Sequence, residues 1–133
     1  MTLAVQPHRL VVSIVSHGHG AMVQRLLEQL ARSSAAAVTR VVVTHNIPED
    51  VLHAPAEGWP FQVDTIVNER PRGFGANHNG ALQGAYESFV CVLNPDVEIL
   101  QDEEPFASLV STAAQPDVGC AYPVQLDYAG VVQ

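Results

Sequence analysis

The sequence predicts an α/β fold, with a Rossmann-like, mostly parallel sheet covered by helices on both faces. Short apolar runs rich in β-branched residues alternate with segments whose apolar residues recur at helical spacing. Such alternation is typical of βαβ units, in which successive strands run parallel and the connecting helices pack on the sheet. The chain of 133 residues has the length of one domain, which we assign to residues 1–133.

The first βα unit lies at the start of the chain. Arg9–Val15 (RLVVSIV) is predicted to be a buried strand, because it is apolar and β-branched over most of its length. Ser16–Gly20 (SHGHG) follows as a polar turn. In Ala21–Ser33, Leu26 and Leu30 belong to a set of apolar residues at helical spacing, which predicts an amphipathic helix.

The middle of the chain is predicted to hold two more strands and a second helix. Arg40–Thr44 (RVVVT) and Phe61–Asn68 (FQVDTIVN) are the strands, and His45–Pro60 between them is a loop interrupted by proline and glycine. Gly73–Tyr86 is the second helix, although it contains several glycines that each cost about 1 kcal/mol relative to alanine in a helix.

The last part of the chain is predicted to add two strands and a third helix. Phe89–Leu93 (FVCVL) is apolar at every position, which indicates a central parallel strand covered on both faces. Pro105–Ala114 should form a helix, because the acids of Asp102–Glu104 precede it at the positive end of its dipole. Val118–Tyr122 (VGCAY) is predicted to be a short fifth strand.

The composition narrows the classes of function. The net charge is −8, and all six basic residues are arginine. The lack of lysine excludes a Walker phosphate loop and a Schiff-base or general-base lysine, and without a basic patch we expect no nucleic-acid binding. The sequence shows neither a signal peptide nor a membrane span, so we expect a cytoplasmic protein. Cys91 and Cys120 lie in apolar runs, which predicts buried, reduced thiols.

Function is expected at the carboxyl ends of the strands, where parallel sheets bind their ligands. Asn94-Pro95-Asp96 directly follows the most apolar strand, so the Asp96 carboxylate should face the ligand crevice. One aspartate can hold Mg²⁺ or Mn²⁺ when diphosphate oxygens and water complete the oxygen shell. The same three residues also favour a simple turn, and the sequence leaves both interpretations open.

The segment 68–80 (NERPRGFGANHNG) joins the third predicted strand to the second helix. The first amides of that helix could bind an anion, and Arg72 lies beside them in the sequence. Close packing of the helix on the sheet would explain Gly80 and Gly84 equally well, but it would leave the arginines and asparagines without a role.

Two other kinds of site are not expected. A zinc site needs ligands at defined spacings, and the pair His17 and His19 does not supply them. A serine hydrolase of the α/β type would carry a Gly-x-Ser-x-Gly nucleophile motif, and none occurs in the sequence.

Four segments of the sequence, taken in order, carry a family resemblance. They are VVSIVSHG (Val11–Gly18), VVVTHNIPED (Val41–Asp50), NERPRGFGANHNGAL (Asn68–Leu82) and FVCVLNPDVEI (Phe89–Ile99). Together they resemble family 2 of the inverting glycosyltransferases, which have the GT-A fold. The first two are similar to a strand with its nucleotide-contacting turn and a strand with its base-binding loop. The third is similar to the Asn–Gly-Phe–x-x-Asn–x-Gly signature. The fourth is similar to the Asp-x-Asp metal motif, in the Asn-Pro-Asp form of rhamnosyltransferase-type members.

The resemblance implies a glycosyltransferase of polysaccharide biosynthesis whose donor is a nucleoside-diphosphate sugar, either a UDP-sugar or a dTDP-sugar. It also implies Mg²⁺ or Mn²⁺ on Asp96, where the ion would bridge the diphosphate and offset the charge of the leaving group. The residues that would lie at the nucleotide sugar are Ser16, His17, Asn46, Arg72, Gly73, Asn77, Asn94 and Asp96.

The sequence departs from the family pattern in two places. Thr44, His45 and Asn46 occupy the loop in which family members often carry a base-reading acid, and Asn94 replaces the first acid of the metal motif. The acceptor-binding half and its catalytic base are expected beyond Gln133, so that the chain would be truncated before them. No catalytic residue is assigned for this reason.

Two alternative functions stay open at this point. One is a non-catalytic, glycosyltransferase-like assembly or regulatory module, in which an exposed sheet edge would favour a homodimer. The other is a nucleotidyltransferase, which would need a basic, glycine-rich loop after the first strand. Ser16–Gly20 contains no arginine or lysine, which argues against the latter.

Overall fold

The computed structural model describes residues 9–100 and 103–133, which form four strands and three helices. In chain order these are β1 (Leu10–Ser16), α1 (Gly20–Ser33), β2 (Arg40–His45), β3 (Gln62–Val67), α2 (Phe74–Leu82), β4 (Phe89–Leu93) and α3 (Pro105–Ala113). None of these three helices has the length and apolar character that a bilayer crossing requires.

The four strands are all parallel and lie in the order β3-β2-β1-β4, which confirms the predicted α/β fold class. β1 pairs with both β2 and β4, so that Val12 lies between Val41 and Cys91. The chain steps outward from β1 to β3 and then crosses back to place β4 on the other side of β1. The strand order therefore reverses between β1 and β4, which is where open α/β sheets bind ligands.

The two central strands are buried on both faces because nearly all of their residues are apolar and β-branched. On one face, α1 packs through residues at i, i+3, i+4 and i+7, and α3 adds Phe106. On the other face, Ala81 of α2 meets Val11 and Val42. The fully buried members of the larger cluster include Val12, Ile14, Val23, Leu27, Leu30, Val41 and Val43.

The position predicted for β4 is wrong. β4 is the edge strand among the described residues, and its burial alternates. Val90 and Val92 are 54% and 48% exposed, whereas Cys91 and Leu93 pack against the larger cluster. α2 packs mainly over β1 and β2 and leaves this face of β4 bare. An all-apolar run is typical of a covered strand, but it does not determine which neighbours cover it.

The fifth strand predicted at Val118–Tyr122 is also wrong. The segment forms no ladder with the described strands and carries mostly exposed residues. Beyond it the chain makes a turn around Asp127, whose Oδ1 accepts from the Val131 N–H at 2.8 Å. Leu126 and Val132 form a single antiparallel bridge across this turn.

The two cysteines differ from the prediction that both are buried. Cys91 is half-buried, whereas Cys120 is exposed, and both thiols are free. Burial raises the pKa of the Cys91 thiol to about 11, and the proximity of Cys120 contributes in the same direction. Cys91 is therefore an unreactive thiol at neutral pH.

The second helix is shorter than predicted, whereas the third starts at the predicted residue and ends one residue earlier, at Ala113. α2 ends at Leu82 rather than at Tyr86, and the chain leaves it through Gly84, whose φ of +72° favours glycine. α3 starts at Pro105, and Glu104 caps it by accepting the Ala107 N–H at 3.1 Å. Asp102, part of the predicted acidic start, lies outside the described residues.

An ionic cluster closes the amino end of the sheet. The Arg40 guanidinium contacts the fully buried Glu87 carboxylate at 2.7 Å and Asp64 at 3.2 Å. Arg40 also lies over the Tyr86 ring, 5.4 Å from its centroid. The hydrogen bonds to Glu87 raise the pKa of Arg40 above its ordinary value. The cluster ties the segment before β4 to β2 and β3.

Candidate functional site

The candidate site lies at the carboxyl end of the sheet, between the turns that follow β1 and β4. We use the name switch crevice for residues 16–19 and 94–96, the two segments that follow β1 and β4 where the strand order reverses. The loops after β2 and β3 begin at the same end of the sheet because all four strands are parallel. The topology therefore brings all four segments singled out by the sequence to one side of the molecule.

Asp96 lies in the turn that follows β4. The Val97 N–H donates to the Asn94 carbonyl at 3.3 Å, so the segment is a turn, as one of the two interpretations of the sequence has it. The Asp96 side chain is exposed and has no hydrogen bond or ion pair with another described residue. It borders a cavity of about 60 Å³ between this turn and α1. Its neighbour Glu98 pairs with Arg25 at 3.5 Å.

The charged and imidazole groups of the described residues do not form a preassembled metal site. Within residues 9–100 and 103–133, no three side chains of His, Cys, Asp or Glu come together. A divalent cation at Asp96 would therefore take fewer than three such side chains from the described part of the protein. Magnesium is commonly held in this way when phosphate oxygens and water provide the remaining ligands, so Asp96 fits the ion that the resemblance implies.

The turn after β1 is held by its own polar groups. Ser16 is fully buried, and its Oγ accepts the His19 N–H at 3.1 Å. The His17 N–H donates to Nδ1 of His19 at 3.2 Å. Gly18 has a φ of +79°, and a Cβ there would lie 3.2 Å from Cδ1 of Ile47. The two imidazoles are exposed to solvent.

Asn46, which is buried, organises the loop before α2. Its Oδ1 accepts the Arg72 N–H at 2.7 Å and Nδ2 of Asn68 at 2.9 Å. Its Nδ2 donates to the Arg72 carbonyl and to Nδ1 of His17, each at 3.0 Å. The two backbone groups of Arg72 have fixed roles and so orient the amide. Nδ1 of His17 is therefore an acceptor, and the neutral ring carries its proton on Nε2.

Asn77 supports the same loop from within α2. It is 2% exposed, its Nδ2 donates to the Arg72 carbonyl at 3.1 Å, and its Oδ1 accepts from Asn68 at 2.7 Å. The polar atoms of Asn46 and Asn77 are thus engaged within the protein. Direct contact of either side chain with a nucleotide stays a prediction. What the geometry provides is a backbone fixed at Arg72.

Arg72 lies just before α2 in the sequence, but its guanidinium is not at the first turn of that helix. The Arg72 guanidinium extends along α2, and a Cβ on Gly80 would lie 3.2 Å from its Nη1. Gly80 therefore makes room for an arginine rather than for the sheet. The N-cap residue Gly73 makes no side-chain cap, the first turn contains no acid, and the space around Gly73 and Gly75 is open. The amides of this turn remain free for an anion.

Sequence reasoning missed the buried pair Ser13 and His78. Ser13 Oγ and His78 Nδ1 are hydrogen-bonded at 2.8 Å, and the ring of Phe74 packs edge-on against the imidazole at 4.5 Å. Burial lowers the pKa of His78, and among the described residues its Nε2 has no hydrogen-bond partner. Ser13 is fully buried, so the pair packs α2 on the sheet and has no access to substrate.

Sequence reasoning also missed Glu49. Its Oε1 lies 2.6 Å from Nδ1 of His45, and each side chain is only 9% exposed. The segment Val41–Asp50 carries two acids at its end, but nothing in the sequence distinguishes a buried acid from the exposed acid beside it. Glu49 also lies beside Gly20 at the start of α1. This proximity depends on tertiary structure and could not be inferred from the local sequence.

The comparisons with known proteins add no assignment. No protein-family model matches the chain, and no curated protein matches its sequence. The functional argument therefore depends on the residues at the carboxyl end of the sheet and on their geometry.

Proposed function

We propose that the chain binds a nucleoside-diphosphate sugar at the switch crevice, as the donor-binding part of a glycosyltransferase. The observation that carries this proposal is Asp96, an exposed carboxylate without a protein partner among the described residues, placed where the strand order reverses. Ligands of open α/β sheets bind at this place, and a lone acid there suits a ligand that brings its own anionic oxygens to a shared cation.

Asp96 would hold Mg²⁺ or Mn²⁺, and the exposed Asn94 amide lies two residues away in the same turn. The ion supplies Lewis-acid stabilisation of the charge that develops on the diphosphate leaving group. An ion is needed because the chain has a net charge of −8 and no lysine, so a diphosphate would otherwise approach a repulsive surface.

The open first turn of α2 would form the second wall of the diphosphate site, and the Arg72 side chain would turn back from Gly80 to join it. Arg72 can donate to phosphate oxygens in a fork, and the uncapped amides at Gly73–Gly75 add backbone donors. In this proposal Asn46 and Asn77 act by holding the Arg72 backbone rather than by touching the ligand.

The turn after β1 would face the nucleoside. Because Nδ1 of His17 accepts from Asn46, its exposed Nε2–H is available as a donor to a base or ribose oxygen. Ser16 lies below this turn and orders it through the His19 N–H. A UDP-sugar or a dTDP-sugar is the donor class that we propose. Sugar transfer also needs a general base, and none of the described residues is assigned that role.

Calorimetric titration with UDP, dTDP, GDP and ADP, each with and without Mn²⁺, tests the proposal. We expect binding of at least one pyrimidine nucleoside diphosphate that depends on Mn²⁺ and weakens at least about tenfold in Asp96→Ala, because one charge-assisted ligand is lost. Glu57→Ala is the matched control, since it removes an exposed acid from the loop between β2 and β3. No binding by the wild type, or equal binding by Asp96→Ala, would refute the proposal.

The bare face of β4 favours a second candidate function, a non-catalytic assembly module that forms a homodimer. β4 contains no charged residue, although edge strands usually carry charges that prevent pairing between chains. Sedimentation velocity across a range of concentrations separates the two candidates. A dimer that Val92→Lys dissociates, combined with no nucleotide affinity, would support the module; a monomer that binds nucleotide would support the donor-binding domain.

A further inference from the structure

The N-termini of α1 and α2 both open toward the carboxyl end of the sheet, but only that of α2 is free. We infer that Glu49 acts as an internal anion that occupies the N-terminus of α1 and excludes phosphate from it. An anionic ligand is thereby directed to the first turn of α2 instead. This inference goes beyond the nucleotide-sugar proposal and stands without it, because it concerns any phosphate-like anion.

The first turn of α1 has no cap of its own. The N-cap residue His19 makes no side-chain hydrogen bond to the helix, and the first turn contains no acid. The first helical hydrogen bond of the backbone runs from the Val23 N–H to the His19 carbonyl at 3.0 Å. The amides of Gly20, Ala21 and Met22 therefore precede the regular ladder and would otherwise attract an anion.

Glu49 reaches this turn from the loop after β2. Its Oε2 is buried, lies 3.0 Å from the position that a Cβ on Gly20 would take, and has no donor in good hydrogen-bond geometry. Its Oε1 is held by His45 at 2.6 Å. The carboxylate is thus nine-tenths buried and fixed against the end of the helix. Glycine at position 20 is what permits this close approach.

The charge state of Glu49 agrees with this placement. Burial alone raises the pKa of its carboxyl, but the nearby Ser16 hydroxyl, His45 imidazole and Gly20 amide together outweigh burial and leave the pKa below its ordinary value. A buried carboxylate that remains ionised needs a positive environment, and the helix end supplies part of it.

A second anion cannot share this turn with Glu49. Two negative charges at the same helix end repel each other. The carboxylate also occupies the space beside Gly20, because its Oε2 lies 3.0 Å from where a Cβ on that residue would stand. The first turn of α2 has neither an acid nor a capping side chain, so no such group would repel the same anion there.

The test uses sulfate without any divalent cation or nucleotide, so its outcome is independent of the proposed function. Amide resonances of Ala21 and Met22 are followed by NMR during a sulfate titration of wild type, Glu49→Gln and Asp50→Asn. Glu49→Gln keeps the shape of the side chain and removes its charge. Asp50→Asn changes the net charge equally at the exposed neighbouring residue.

We expect no saturable shift of these two amides in the wild type or in Asp50→Asn, and sulfate affinity at least about tenfold tighter in Glu49→Gln. Saturable shifts in the wild type, or none in a folded Glu49→Gln protein, would overturn the inference. If Glu49→Gln does not fold, the ¹³C titration of the Glu49 carboxyl in the wild type decides. A pKa below the ordinary glutamate value supports the inference, and an ordinary or raised value overturns it.

Discussion

The two ends of the parallel sheet differ in whether their charged side chains have partners within the described protein. At the amino end, Arg40 is paired with Glu87 and Asp64, and its guanidinium lies over the Tyr86 ring. At the carboxyl end, Asp96 has no partner among the described residues. The uncapped amides at the start of α2 lie at the same end of the sheet.

The difference teaches where stability and binding reside in this fold. Charges that satisfy one another contribute to folding and offer nothing to a ligand, whereas unsatisfied groups contribute little to folding and remain available. The carboxyl end is itself divided. The buried amides of Asn46 and Asn77 and the Glu49 carboxylate are engaged internally, and they hold the exposed groups in place.

The largest effect on stability is expected at the amino end. Glu87→Ala would leave Arg40 without its principal buried partner, and we expect a loss of about 3–5 kcal/mol in the free energy of unfolding. Denaturant unfolding measures it, with Glu57→Ala as an exposed-acid control that changes by less than about 0.5 kcal/mol. A loss for Glu87→Ala no larger than that of the control would show that the cluster does not stabilise the fold.

A smaller effect is expected at Asn46. Asn46→Ala would leave the Arg72 N–H without its buried side-chain partner, while the Arg72 carbonyl keeps its bond from Asn77, at a cost of about 1–3 kcal/mol. Hydrogen exchange of the Arg72 amide should accelerate in the variant, while amides in β1 keep their protection relative to global unfolding. Unchanged exchange at Arg72 would mean that the loop is held by other contacts.

The buried His78, which lies away from both ends of the sheet's charge pattern, should make the free energy of unfolding depend on pH. Its folded pKa is lowered, so below its unfolded value of about 6.5 the unfolded chain binds a proton that the folded chain does not. The contribution of His78 therefore falls as pH decreases through this window, by at most about 1.4 kcal/mol per pH unit. His78→Gln should flatten the profile between pH 6.5 and 5, and exposed His53→Gln should not. An equal slope in both variants would contradict this assignment.

The smallest change in stability is expected at Asp96. Because the side chain is exposed and unpaired among the described residues, Asp96→Ala should alter the free energy of unfolding by less than about 0.5 kcal/mol. Thermal unfolding monitored by circular dichroism suffices to measure it. A clear destabilisation would show that the carboxylate supports the turn after β4, which would remove the contrast with the amino end.

The fold was predictable where the pattern of residues determines it locally. The β-branched runs at β1 and β2 and the apolar stripe of α1 predict these elements with bounds close to those observed. The position of β4 was not predictable, because its neighbours depend on where α2 crosses the sheet. Val118–Tyr122 has the composition of a strand but no ladder partner in the described structure, which is a property of tertiary packing rather than of propensity.

The candidate site was predictable only in outline. The turn at Asp96 and the loop at Arg72 follow strands and carry polar residues, so their location at the ligand-binding edge could be inferred. The engagement of Asn46 with the Arg72 backbone, and of Glu49 with α1, could not be inferred. Each joins residues that are far apart along the chain or on different turns, and an asparagine or glutamate in a loop is usually solvated.

The central claim, that the carboxyl end binds a diphosphate through a cation on Asp96, is tested most directly by paramagnetic broadening. Mn²⁺ with UDP is added at substoichiometric amounts to the isotopically labelled wild type. We expect the amides of Asn94, Asp96, Val97 and residues 73–75 to broaden first, and Asp96→Ala to abolish the effect at both segments. Broadening confined to other acids, or identical in Asp96→Ala, would contradict the account.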